Sequence, residues 1–386
     1  MSKLLRGMVA LASLTLATGC WDRVEIEDRG FVVGSAIDEG KDGAYELTFQ
    51  YIVPSAMQGK SAGGGHPSAQ SFQNVSSTAA TLFKAARKMS NETSRPPYLE
   101  QNKIIIVSER LARSGKLQEV LDLFVRDPEM RRAAKLMISV GPAKKLLDIK
   151  PPIETLPVQY INSTSENPQK SESIVPATTM GHVHRFLLEE HSFAIPRITQ
   201  TDSKVSLSGA AVFGSDKKMK GFLDGEETTG KNYFSGTIKA GAVEVEIEGK
   251  PLLFEVKRAS RTLYANVSDP ESPAFTVNVR IEGNVGETYS HVDLLDPQVI
   301  GTIENRVSDK IREIMYVVLE KLQKEYKADV IGLSDYLNEN HYRVWKKIAA
   351  DWDRGDHLFS KCKVDVKVHT RLRIIGAIER VQPEGE

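Results

Sequence analysis

The chain has 386 residues, 40% hydrophobic and 26% charged, and its 51 Lys and Arg balance 51 Asp and Glu. That is a globular composition, long enough for roughly two or three domains with substantial cores. A formal charge of zero argues against nucleic-acid binding, which usually shows a basic excess, and against a body held on anionic lipid by charge alone.

In chain order, the first element is a targeting segment. Lys3 and Arg6 precede an apolar run from Met8 to Ala17, which ends in Ala17-Thr18-Gly19-Cys20. A basic start, a short apolar centre and small residues before a cut describe a secretory signal. The run is about half of the ~20 apolar residues that a bilayer-spanning helix needs. A cysteine directly after the small residues marks a bacterial lipoprotein signal over residues 1–19, although Ala17 stands where such signals usually carry Leu. Cys20 is then the expected N-terminus, its thiol carrying a diacylglyceryl group through a thioether that thiolate nucleophilicity makes accessible. With Cys20 acylated, Cys362 has no partner, so no disulfide framework and no Cys-rich zinc site is expected.

Gly30 to Ile37 and Ala44 to Val53 are β-branched and aromatic runs joined by a Gly/Asp-rich turn, which predicts a hairpin. Ser55 to Ser71, containing Gly63-Gly64-Gly65, reads as a surface loop, because no Lys-Ser/Thr pair follows at phosphate-loop spacing. A helix is expected from Ser76 or Ser77, with Ala79, Leu82, Phe83, Ala86 and Met89 on one face, ending at Pro96-Pro97. A strand (Ile104 to Val107), a helix carrying Leu117, Val120, Leu121 and Phe124, a strand (Ala134 to Val140) and a short helix after Pro142 follow. This alternation is α/β-like, with some parallel pairing. Polar residues Asn162 to Ser173 break it, and Met180 to Phe193 resumes as a helix. His182 and His184 point about 200° apart on a helix, so a metal site there is not favoured. The expected N-terminal domain is 20–198.

After a polar connector, Ile195 to Ser203, the pattern changes. Lys204 to Phe213, Val243 to Ile247, Leu252 to Val256, Thr262 to Val267 and Ala274 to Ile281 read as antiparallel strands. Gly225 to Gly236 is a helix or a loop. After Asp296-Pro297, apolar residues from Ile300 through Ile311 to Leu322 recur at steps of three or four. They predict a helix of about 30 residues, roughly 45 Å long, packed on a sheet rather than in a dimer seam. Ser334 is an expected N-cap, and Trp345 and Trp352 lie seven apart, near one face if both are helical. Core anchoring is their default role; an exposed pair would mark a docking surface. Lys361 to Val368 and Thr370 to Ile378 alternate as closing antiparallel strands, with Cys362 facing the core. The expected C-terminal region is 204–382, divisible near 260 into about 204–260 and 261–382. The fold class is α+β, multi-domain.

No Gly-x-Ser-x-Gly elbow, dinucleotide fingerprint, His-Glu-x-x-His or zinc cysteine pair is present in the sequence. Asp351, Asp353 and Asp356 lack the Gly and Glu positions of a calcium loop. No catalytic residue, metal or dissociable cofactor is expected.

Several stretches resemble one family throughout the chain. Gly19-Cys20-Trp21-Asp22-Arg23 with EIEDRGFVVGSAID, the segment around Arg126-Asp127-Pro128, GAAVFGSDKKMKGFLDGEET and KADVIGLSDYLNENHYRVWKKIAADW are similar to the Ger(x)C lipoproteins, the C subunits of nutrient germinant receptors. The resemblance implies a non-enzymatic, multi-domain α+β protein anchored to the outer face of the spore inner membrane. It would act with an A subunit and a multi-spanning B subunit. Trp21, Asp22, Arg23, Arg126, Asp127, Pro128, Trp345 and Trp352 are the motif or docking candidates, and Cys20 the lipid site. The other reading is a solute-binding lipoprotein of a transporter, which would need two similar lobes around a cleft.

Overall fold

The computed structural model describes residues 25–54, 70–167, 171–202 and 204–374. Cys20, Trp21, Asp22, Arg23 and most of the glycine-rich loop lie outside them. The fold is α+β, with one ten-stranded and one four-stranded sheet.

The predicted hairpin is β1 (Gly30–Glu39) with β2 (Tyr45–Ile52), antiparallel, turned by Lys41–Gly43 with Asp42 and Gly43 at positive φ. Next comes β3 (Phe72–Ala79), which overturns the helix expected from Ser76. Ser76 and Ser77 sit opposite Thr48 and Leu47 in the sheet. The helix, α1 (Leu82–Glu92), starts at Thr81, whose hydroxyl accepts from the Lys84 N–H. That shift in start turns Leu82, Ala85 and Met89 inward and leaves Phe83 exposed.

After β4 (Pro97–Tyr98) come β5 (Ile104–Ser108), α2 (Glu109–Arg113), α3 (Leu117–Arg126), β6 (Lys135–Ser139) and α4 (Lys144–Leu147). Helix α5 (Pro157–Ser165) occupies part of the polar stretch read as a break, and α6 (Met180–Glu189) follows. The residues expected to form a connector are strand β7 (Phe193–Thr201). Its Pro196 opposes Ala210, and parallel pairing with β6 begins only at Arg197, so the missing proline N–H leaves that ladder intact.

Strands β1, β5, β6 and β7 pair parallel in that order. Successive side chains of a strand point to opposite faces. Ile105 and Val107 therefore pack with α1, α3 and α6, whereas Ile104 and Ile106 pack with Leu146, Leu147, Val158 and Ile161. Helices cover both faces, as a parallel sheet requires.

β8 (Lys204–Ser206) and β9 (Ala210–Phe213), which cover the run expected to be the first C-terminal strand, instead extend this first sheet beside β7, and β10 (Met219–Leu223), not expected as a strand, pairs with β9. The second sheet begins only after α7 (Gly225–Ser235), with β11 (Gly241–Ile247), β12 (Lys250–Asn266) and β13 (Ala274–Thr288). The two short strands expected at 252–267 are one long β12 whose register shifts near Phe254 and Arg258.

The long helix is α8 (Pro297–Glu320), 24 residues, running on into a six-residue π-helical segment, Lys321–Tyr326. Its stripe, Ile303, Val307, Ile311, Met315, Val318 and Leu322, packs into the core of the second sheet, as expected. Helix α7 crosses it closely. A Cβ on Gly230 would lie 2.7 Å from the Ile314 carbonyl oxygen, so only glycine fits there.

Helices α9 (Leu333–Asn340), α10 (Tyr342–Ile348) and α11 (Leu358–Lys361) lead to β14 (Lys363–Ile374). β14 pairs with β13 in parallel, not antiparallel, because the chain reaches it through the α8 crossover rather than a hairpin. Cys362 is buried as expected, but just before β14, where its thiol donates to the Phe359 carbonyl.

Candidate functional site at the junction of the two sheets

The turn after α8 places a carboxylate where no helix pattern shows one. Lys327 leaves the helix with φ 50°, and Asp329 follows, 3% exposed. Asp329 Oδ1 accepts the N–H groups of Ile331 (3.2 Å), Gly332 (3.1 Å) and Leu333 (3.3 Å). Its Oδ2 accepts the Ser334 N–H (2.6 Å) and the Trp352 indole N–H (2.9 Å). Asp329 therefore caps α9 from four residues upstream of the helix start, placing its charge at the positive end of that helix. Ser334, the expected N-cap, lies inside the helix, and Gly332 takes the N-cap position with φ 82°.

Trp352 sets the other side of the knot. It is buried, with Phe275 at 6.0 Å and Trp345 at 5.9 Å between ring centroids, both edge-on. The two tryptophans do meet, and Trp345 stays partly accessible. Directly after Trp352, Asp353 Oδ1 accepts the Asp329 N–H (3.1 Å) and Oδ2 accepts the Ser192 hydroxyl (2.5 Å). Ser192 belongs to the first-sheet half, just before β7. Its neighbours reach across as well: Glu190 pairs with Arg354, and His191 Nδ1 lies 3.7 Å from Asp335 Oδ1. Of three consecutive residues after α6, Glu190 and Ser192 thus grip the turn that carries Trp352, and His191 faces α9.

Burial, and then the nearby Asp329 charge, push the Asp353 carboxyl well above the ordinary carboxylate range. A carboxyl raised on folding holds its proton more tightly in the folded chain. Stability present below the ordinary range is therefore lost as pH rises through the raised value. Asp353→Asn keeps an oxygen for the Asp329 N–H and removes that titration. Between about pH 4 and pH 8 it is expected to flatten the pH profile by ~1.4 kcal/mol for each pH unit separating folded from unfolded titration. Urea unfolding of both proteins at several pH values checks this; parallel profiles would refute it.

The other sequence candidates lie elsewhere. Arg126, Asp127 and Pro128 form the end of α3 and the following turn: Arg126 Nε donates to both Asp122 oxygens (2.8 and 2.9 Å), and Asp127 accepts the Glu129 N–H. They border an open groove of about 900 Å³ with Tyr45, Arg87 and Lys217. Among the described residues no group of three or more His, Cys, Asp or Glu could hold a metal ion. No described helix is long and apolar enough to cross a membrane.

Two family models match in succession: "Spore germination protein N-terminal domain" over residues 22–200 and "Spore germination B3/ GerAC like, C-terminal" over residues 208–376. The chain belongs to the Ger(x)C family of spore germination proteins. It is 29% identical over 364 residues to spore germination protein B3 of Bacillus subtilis (strain 168), covering 93% of this chain and 94% of that one. Spore germination protein A3 of the same organism is 28% identical, over 94% of this chain and 95% of its own. The crystal structure of the GerBC protein shares the fold, with a TM-score of 0.60 and 24% identity, covering 90% of this chain and 99% of that chain. The two family segments meet between 200 and 208, whereas in the Ger(x)C chain described here the first sheet continues to Leu223.

Sequence reasoning missed Asp329 and Ser192. Asp329 lies inside KADVIGLSDYLNENHYRVWKKIAADW, one of the stretches that carries the family resemblance, and an acidic residue just upstream of an unremarkable helix start was its only local signal. Ser192 gave none, because its partner lies 161 residues away.

Proposed function

We propose that the chain is the non-enzymatic, lipid-anchored C subunit of a nutrient germinant receptor. A diacylglyceryl group on Cys20 holds it on the outer face of the spore inner membrane, with no other cofactor. There it acts with the membrane A and B subunits to trigger germination. The observation that carries this reading is the match of both family segments, in order, across residues 22–376. Trp21-Asp22-Arg23 at the anchor, the exposed Arg126-Asp127-Pro128 turn and the accessible edge of Trp345 are the surfaces offered for docking. Trp352 serves the fold.

Cys20→Ala tests the anchor. Diacylation anchors a protein stably, whereas a single chain binds only marginally. The variant is expected to leave the washed membrane fraction while keeping its folded body. Retention of Cys20→Ala in that fraction would show that protein contacts localise it. Purification of the wild-type chain from spore membranes is expected to bring down an A or B subunit, and recovery of the chain alone counts against the receptor assignment.

A further inference from the structure

We infer that the cleft between the α6–β7 region and the second sheet's helices is a binding site for a small monocarboxylate, with Lys231 as its anion partner. Helix α7 is buried from Thr228 to Phe234, and Lys231 lies in the middle of that run, 7% exposed. Its side chain borders a cleft of about 470 Å³, within the size range of small-molecule sites. Among the described residues its ammonium has no hydrogen-bond or ion-pair partner. Burial alone draws its pKa down, to about 8, and no carboxylate opposes that. A lysine ammonium so placed is costly unless something pairs with it.

A second cation borders the same cleft. Arg261 donates through Nη1 to the carbonyls of Phe234 (2.6 Å) and Ile331 (3.5 Å), leaving its Nε and Nη2 groups without a protein acceptor among the described residues. Lys231 and Arg261 together can supply charge-assisted bonds to a carboxylate. Asp335 and Glu339 line the cleft as well. Their charge disfavours a dianion such as phosphate and leaves room for a single negative charge. Asp329 is saturated by five N–H groups and makes no direct bond to either cation, but its charge, with those of Asp335 and Glu339, still acts on Arg261. A bound carboxylate would touch residues from both halves of the chain. This site stands on the cleft's own chemistry and does not depend on the receptor assignment.

The test uses the full chain in detergent, with acetate, lactate, butyrate and inorganic phosphate as probes, followed by thermal shift and calorimetry at about pH 7. At least one monocarboxylate is expected to bind with Kd below about 1 mM. Lys231→Met, which keeps the stem and volume without the charge, should weaken that binding at least about tenfold. Binding should fade in the wild type above the lysine's titration. Equal binding by wild type and Lys231→Met, no monocarboxylate binding, or tighter binding of phosphate would each overturn the inference. Should Lys231→Met not fold, trinitrobenzenesulfonate labelling of the wild type reads the same site. Lys231, located by peptide mass spectrometry, should be labelled less in the presence of the bound carboxylate than in its absence; no protection counts against it.

Discussion

Replacing Asp329 with alanine is expected to destabilise the chain by about 3–5 kcal/mol, the range for stranding buried partners of a charge. Four backbone N–H groups and the Trp352 indole N–H lose their acceptor together. Each buried donor left unsatisfied costs about 1–3 kcal/mol, and water entering from the adjoining cleft relieves part of the sum. Asp329→Asn retains an acceptor oxygen but turns an NH₂ toward the other donors, so it should recover only part of the loss. Urea unfolding followed by tryptophan fluorescence reads the effect, since Trp352 is at the centre of the change. A midpoint shift equivalent to less than ~1 kcal/mol would show that the knot is not a stability centre.

The order of these effects explains what could be read from the chain without coordinates. Wherever an element makes its own case locally, it was legible. The GFVVGSAI and AYELTFQYI runs form a hairpin, Ile104 to Val107 is a buried strand, and the stripe from Ile303 to Leu322 lies along one side of α8. Errors arose where a partner far away decides the state. Phe72–Ala79 is rich in Ser and Thr, and only the open edge of β2 makes it a strand. Ile195 to Ser203 reads as polar linker, yet β6 on one side and β9 on the other hold Phe193–Thr201 extended. The direction of β14 is set by a crossover through four helices, α8 to α11, which no alternation of residues encodes.

The candidate site was legible in part for the same reason. Trp345 and Trp352 announce themselves by size and spacing. Asp329, Asp353 and Ser192 do not, because their roles depend on a three-way meeting of the α8 exit, the Trp352 turn and the end of α6. Lys231 is the clearest case. In sequence it is one lysine in a polar helix, and its significance appears only when Thr228 to Phe234 are seen to be buried around it.

Trp352→Ala is expected to rival the loss at Asp329, at about 3–5 kcal/mol. The substitution empties a space walled by Phe275, Phe359 and Trp345 and strips the indole N–H from Asp329 Oδ2. Trp352→Phe separates the two contributions. It retains much of the aromatic packing but no N–H, so about 1–2 kcal/mol of loss is expected, the Asp329 carboxylate still holding its four backbone donors. Combined with Asp329→Ala, Trp352→Phe should be non-additive by ~0.5–3 kcal/mol, because both single changes break the same hydrogen bond. Strict additivity in urea unfolding would mean that the 2.9 Å contact carries no energy of its own and that Trp352 acts by packing alone. Coupling within the expected range would make the indole the link through which the first-sheet half, held at Ser192 by the next residue, senses the state of the turn after α8.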